Sequence, residues 1–152
     1  MYSRIWERLE MVSCTETILA YNELFYFLHK RYGKKAVVKF WEGVSDDFLD
    51  NLRKLVKEKG LNGMMEYWQS TLKEEKAKYK IDFNENFFRI EMHRCPSVGL
   101  LRRYKGIKKY PDYCKHCDTL YRRIIEDYGF SYSIEYLDEE KGICRLEVRK
   151  HR

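Results

Sequence analysis

Proline and glycine are scarce in this chain of 152 residues, two and eight respectively, which excludes a collagen-like or linker-rich chain. No apolar run approaches the roughly 20 residues that a membrane span needs. The segment from Met1 to Glu10 has two arginines and two glutamates but no apolar stretch, so no signal peptide is expected. Histidines number only four, and the five cysteines follow no zinc-finger or ribbon spacing. An odd cysteine count in an unsecreted chain reads as free thiols, metal ligands or a catalytic thiol before it reads as a disulfide framework. A cytoplasmic protein with no membrane partner is therefore expected. What is abundant is apolar and aromatic material, 44% and 16% of residues, enough to pack an interior and to exclude general disorder. The length suits one domain spanning 1–152.

Charge is concentrated. Eight basic residues (Arg102, Arg103, Lys105, Lys108, Lys109, Lys115, Arg122, Arg123) face two acids (Asp112, Asp118) between Leu101 and Arg123, so this stretch holds the whole formal charge of +6. A local positive field favours a small anionic substrate or ligand, such as a carboxylate. Tyr104, Tyr110 and Tyr113 are interleaved with the cations and could stack on bases. No nucleic-acid motif accompanies them, which ranks nucleic acid behind the small anion. A solvated loop without a partner is the plainer reading.

Up to about residue 78 the apolar period is helical. Ser13, Cys14, Thr15 and Glu16 fit a capping box, and Ile18, Tyr21, Phe25, Leu28 and Tyr32 form the stripe that follows, closed by Gly33. A short helix is predicted over Lys35 to Trp41, closed by Gly43. Ser45, Asp46 and Asp47 would cap the next, which bears Phe48, Leu52, Leu55 and Val56 and stops at Gly60. Leu61, Met64, Met65, Trp68 and Leu72 carry a fourth helix to about Ala77, with Met and Trp as core.

From Tyr79 the period becomes two. Tyr79, Ile81 and Phe83 alternate, Asn84 to Asn86 turns, and Phe88, Ile90 and Met92 alternate again up to Cys95-Pro96. After a short helical turn and the basic loop, Pro111 is placed to start a helix to about Tyr128, which Gly129 ends. Tyr132, Ile134 and Tyr136, a turn at Glu139 to Gly142, and Cys144, Leu146 and Val148 complete a second hairpin. The class is α+β: N-terminal helices packed on a small antiparallel sheet of about four strands, spanning about 79–150, with a helix inserted between its hairpins.

Four cysteines lie in this second half: Cys95, Cys114, Cys117 and Cys144. Three readings compete for them, namely a zinc site, a reactive thiol and inert core. At about 100° per residue, Cys117 shares a stripe with Tyr121, Ile124 and Tyr128, and Cys114 lies about 50° from its centre. Both thiols then face the core, whereas His116 points more than about 100° away. Cys144 shares the buried face of Leu146 and Val148, and the parity of Cys95 takes it off the core face unless a bulge intervenes. This argues against zinc, and no metal or cofactor is expected. Cys114 would occupy the first turn of its helix near the basic loop, where dipole and cations favour a thiolate. His29 reads as structural or exposed, and His151 lies in a basic tail. His93, two residues before Cys95 on the same strand face, is placed to assist a thiol or bind substrate.

These residues together resemble the L-2-amino-thiazoline-4-carboxylic acid hydrolase family. The resemblance rests on a strand ending Arg94-Cys95-Pro96, a helix opening Tyr113-Cys114 and continuing Cys117-Asp118, and Gly142 two residues before Cys144. It covers roughly Asp82 to Val148, with Phe40-Trp41-Glu42 and Gly63 to Trp68 agreeing in layout. In that family one cysteine precedes the aspartate at short spacing; here Cys114 and Cys117 both precede Asp118, so the equivalent thiol is left open. The resemblance implies hydrolytic opening of a cyclic amidine-like carbon–nitrogen bond in a small carboxylate-bearing ring. Cys114 or Cys117 would supply the thiol and Asp118 would shuttle the proton. His93, Arg94, Cys95 and Tyr113 would line the substrate site, with Arg94 or a loop cation anchoring the carboxylate. The alternative is a non-enzymatic small-ligand-binding or sensor domain on the same scaffold.

Overall fold

A computed structural model describes residues 3–151, with side chains from residue 15 onward. Four helices come first: α1 (Ser3–Tyr32), α2 (Lys34–Phe48), α3 (Asp50–Lys59) and α4 (Leu61–Glu74). The hairpin of β1 (Lys78–Phe83) and β2 (Phe87–Arg94) follows, then α5 (Pro96–Arg103). A 3-10 turn (Tyr113–Lys115) leads into α6 (His116–Asp127), and β3 (Phe130–Asp138) with β4 (Ile143–Lys150) closes the described chain. The strands form one antiparallel sheet in the order β1-β2-β4-β3. The class is α+β, as the switch from helical to alternating period at residue 79 predicts. Among the described residues no helix is long and apolar enough to cross a membrane.

The register stacks the alternating residues into three rows. Phe83, Phe88, Val148 and Tyr132 face one another across the four strands, then Ile81, Ile90, Leu146 and Ile134, then Tyr79, Met92, Cys144 and Tyr136. One face of the sheet is thus apolar or aromatic, and α3, α4 and α6 cover it with Leu52, Val56, Met64, Trp68 and Ile124. The other face is a ladder of paired charges: Arg89 meets Glu147 at 2.5 Å, and Arg145 lies 3.7 Å from Glu91 and 3.5 Å from Glu135. A one-sided antiparallel sheet follows from that alternation.

A second core lies beside the first. Phe25 of α1, Val37 and Trp41 of α2, and Val98 and Leu101 of α5 pack around Tyr110 and Tyr113, all at most 2% exposed. The rings meet edge to face, Phe25 with Trp41 at 5.3 Å and Phe25 with Tyr110 at 5.7 Å.

Three helix boundaries depart from the sequence expectation. Because α1 begins at Ser3, the segment from Ser13 to Glu16 lies within it and is no cap; the side chain of Cys14 is outside the described residues. Helix α2 runs unbroken through Gly43 and Ser45. Ser45 is fully buried and donates its Oγ–H to Leu120 O of α6 at 2.8 Å, so a tertiary bond holds it inside the helix. The break falls at Leu49 instead (φ −103, ψ 29), which leaves Phe48 79% exposed. Pro111 does not open the late helix, which is entered through the 3-10 turn.

The basic loop is fastened to α1 along its backbone. Asn22, fully buried, donates from Nδ2 to Lys108 O at 2.9 Å and accepts the Tyr110 amide on Oδ1 at 2.8 Å. Tyr26 donates its hydroxyl to Lys109 O at 2.9 Å. Replacing Asn22 by Ala strands a buried amide and a carbonyl, at a cost of about 2–4 kcal/mol. Urea denaturation is expected to show that loss. Amide exchange at Tyr110 should rise first, and unchanged protection there would refute the clamp.

Candidate functional site

A cavity of about 40 Å³ lies where the two cores meet, lined by Cys95, Cys114, Cys117 and Cys144 together with His116, Tyr113 and Tyr136. One water occupies roughly 10–15 Å³ on this measure, so the space admits about three such groups.

Four elements position these side chains. Cys95 sits one residue past the end of β2, as the residue before α5. Strand parity therefore does not govern it, which corrects the expectation that it leaves the core face. Its amide donates to Gly142 O at 3.0 Å, tying the β3–β4 turn to the start of α5. Cys144 follows two residues later in β4, between Met92 and Tyr136 in the third row. Cys114 and Cys117 flank the junction of the 3-10 turn with α6. The Cys114 thiol points at Glu139 O, 3.7 Å away.

His116 is the main departure from the helical-wheel reading, which turned it away from the thiols. It is the first residue of α6, and its ring folds back so that Nδ1 meets the Tyr113 carbonyl. The ring is then surrounded by Tyr113 at 5.0 Å, Tyr21 at 6.0 Å, Phe25 at 6.1 Å and Trp41 at 6.4 Å. With Nδ1–H donated to a carbonyl, the Nε2 lone pair is left facing Cys117 Sγ at 3.6 Å. The available signal was local: a histidine at a helix start can reach the carbonyl three residues back.

Burial sets the protonation states. It lowers the His116 pKa, so the imidazole is neutral near pH 7. It pushes the Cys117 thiol up to about 12, with the carboxylates of Glu75 and Asp118 adding to the effect. Burial likewise raises Cys114 to about 12 against the opposing charge of Lys109, Cys144 to about 12 and Cys95 to about 11. The thiolate expected at Cys114 from the helix dipole and the basic loop is outweighed by desolvation. The four sulfurs are neutral thiols in free cysteines. Among the described residues no group of three His, Cys, Asp or Glu side chains is gathered closely enough to hold a metal ion. Tyr136, whose pKa burial also raises, has a buried hydroxyl without a hydrogen-bond partner among the described residues, as does Tyr132, two pleat repeats earlier in β3.

Of the residues singled out from the sequence, Cys95, Tyr113, Cys114 and Cys117 come together at the cavity. Asp118 does not line it and pairs instead with Arg122 at 2.7 Å on the outside of α6. His93 and Arg94, the last two residues of β2, are exposed, and His93 lies 3.9 Å from Glu91. Tyr110 and Tyr113, at most 2% exposed, are packing residues and are not free to stack on bases. His116, Tyr136 and Cys144 were not among the site residues read from the sequence. No family model, no curated protein and no solved structure matches the chain.

Proposed function

We propose that the chain is a small-ligand-binding or sensor domain whose ligand lodges in the thiol-lined cavity. One observation carries this reading: four cysteine side chains from three separate segments and the ring of His116 line a single cavity. Soft, polarisable groups of this kind favour a small and weakly polar ligand. The charged groups that ring-opening chemistry would recruit, Asp118, His93 and Arg94, lie outside it. Free thiols suit a reducing compartment, so a cytoplasmic location accompanies the proposal.

Opening of a carboxylate-bearing amino-thiazoline ring, which the family resemblance implies, is the second reading. One electrostatic feature favours it: the charge of Lys109, whose side chain is only 9% exposed, acts to lower the Cys114 thiol against the larger effect of burial. Against it stands the size of the cavity, which has room for about three water-sized groups, whereas an amino-thiazoline carboxylate has about nine non-hydrogen atoms.

Alkylation with iodoacetamide separates the two. Raising a thiol from 9.0 to about 12 depletes the thiolate near neutral pH by about a thousandfold. The folded chain is therefore expected to label at these four positions at least about a hundredfold more slowly than the urea-unfolded chain. Because the folded pKa is the higher one, labelling should accelerate as pH rises beyond 9 rather than level off there. Rapid labelling of Cys114 at neutral pH, together with ring-opening turnover, would overturn the binding reading in favour of the hydrolase.

A further inference from the structure

We infer that the end of α5 and the turn after it form a binding surface for single-stranded nucleic acid. Arg94, Arg102, Arg103, Lys105 and Lys108 meet the phosphates there, and Tyr104 stacks under a base. The inference is independent of the cavity, which none of these residues lines.

From His93 to Pro111 the chain carries six lysines and arginines and no acid. Lys109 pairs with Glu140, and the other five are exposed and have no ion pair among the described residues. Elsewhere cations are matched: Arg89 and Arg149 with Glu147, Arg122 with Asp118, and Arg123 with Asp46. The Arg94 stem lies along α5, with its Cγ 3.7 Å from where a Cβ on Gly99 would be. Arg102 and Arg103 stand one turn further along that face. Unmatched like charges set side by side repel one another, and a polyanion relieves that repulsion at every position together. A small carboxylate would engage only one or two of them. The structure thus puts a polyanion ahead of the small anion at this surface.

Tyr104 decides the kind of polyanion. Of the three tyrosines interleaved with the cations, Tyr110 and Tyr113 are buried, whereas Tyr104 is 42% exposed. An accessible ring among cations is a stacking platform, and stacking needs unpaired bases, which favours a single strand over a duplex. Among the described residues from His93 to Pro111, Tyr104 is the one large apolar side chain that is exposed. A membrane anchor would need several such groups to insert beside its cations. The backbone is also held in advance. The Ile107 amide donates to Tyr104 O at 3.3 Å across Gly106 at φ +88, and Asn22 and Tyr26 fasten the Lys108 and Lys109 carbonyls to α1. Little backbone freedom is then lost on binding.

The test titrates the full chain into fluorescein-labelled decathymidylate and follows anisotropy at several salt concentrations. The logarithm of the affinity should fall with the logarithm of salt with a slope of about −3, since each phosphate neutralised on a single strand contributes about −0.7. Joint Arg102→Gln and Arg103→Gln substitution should weaken binding at least about tenfold and flatten the slope by about 1.4. Tyr104→Leu should weaken binding about tenfold and leave the slope unchanged, because stacking releases no counterions. Joint Lys54→Gln and Lys57→Gln substitution removes the same charge from exposed positions of α3 and should change the affinity by less than about twofold. Equal losses in the two double variants would reduce the effect to net charge and overturn the inference. So would a duplex bound as tightly as the single strand with Tyr104→Leu silent. Capture of phosphatidylserine vesicles without binding of decathymidylate would give the surface to a lipid instead.

Discussion

Gly63→Ala should cost more than about 3 kcal/mol, although alanine is the better helix former by about 1 kcal/mol. Gly63 is buried in α4, where the backbone of α3 at Leu55 packs directly against it. A Cβ there would overlap Leu55 O and lie 2.5 Å from the Leu55 carbonyl carbon. Those are backbone atoms, so the clash is relieved only by moving α3, which holds Leu52 and Val56 in the core beneath the sheet. Gly43→Ala is the matched control. Gly43 lies inside α2, and a Cβ at that position meets nothing within 4 Å. That variant should gain about 0.5–1 kcal/mol from propensity alone. Urea midpoints of the two variants are expected to move in opposite directions. Matching gains would mean that α3 and α4 do not pack together at Gly63.

Gly142→Ala should cost about 2–4 kcal/mol and unseat one wall of the cavity. Two effects act together. The residue has φ +68, in the left-handed region that disfavours a side chain by about 1–2 kcal/mol. A Cβ would also lie 2.8 Å from Cys95 Cβ and 2.9 Å from Val98 Cβ. The turn must then lift from the start of α5, and the bond from the Cys95 amide to Gly142 O is lost. Iodoacetamide labelling of Cys95 should accelerate as its burial is relieved, because burial is the main cause of its raised pKa. Gly106→Ala isolates the strain component: φ is +88 there, with nothing within 4 Å of the added carbon. It should cost only about 1–2 kcal/mol and leave Cys95 labelling untouched. Equal costs for the two variants would show that the turn does not bear on α5.

Much of the architecture is written in local periodicity. Alternation at Tyr79, Ile81 and Phe83, at Phe88, Ile90 and Met92, and in the last hairpin predicts the faces that the sheet buries. A one-residue slip would expose each whole set, so the pattern fixes register as well as strand identity. The stripe Leu61, Met64, Trp68 and Leu72 likewise predicts the buried side of α4. Helix ends were less legible. Gly43 and Ser45 read as a stop and a cap, yet α2 continues, because Leu120 O, 75 residues away, offers Ser45 a buried acceptor. No local rule reports a partner at that distance.

The site divides along the same line. Residue type and spacing alone placed Cys114 and Cys117 on the inner side of the late helix, and the Cys144 parity put its thiol toward the core. Only the fold decided that Cys95 joins them, since it lies past the strand whose parity would have turned it outward. The fold also decided the chemistry. A thiol near a helix start and eight cations reads as a thiolate, but enclosure by two cores removes the water that would stabilise that charge. The sequence by itself determined the elements, their buried faces and the thiol-rich half, because those depend on neighbours a few residues apart. Tertiary structure determined the strand order, the inward turn of His116 and the protonation of the sulfurs, because those depend on which distant groups displace solvent.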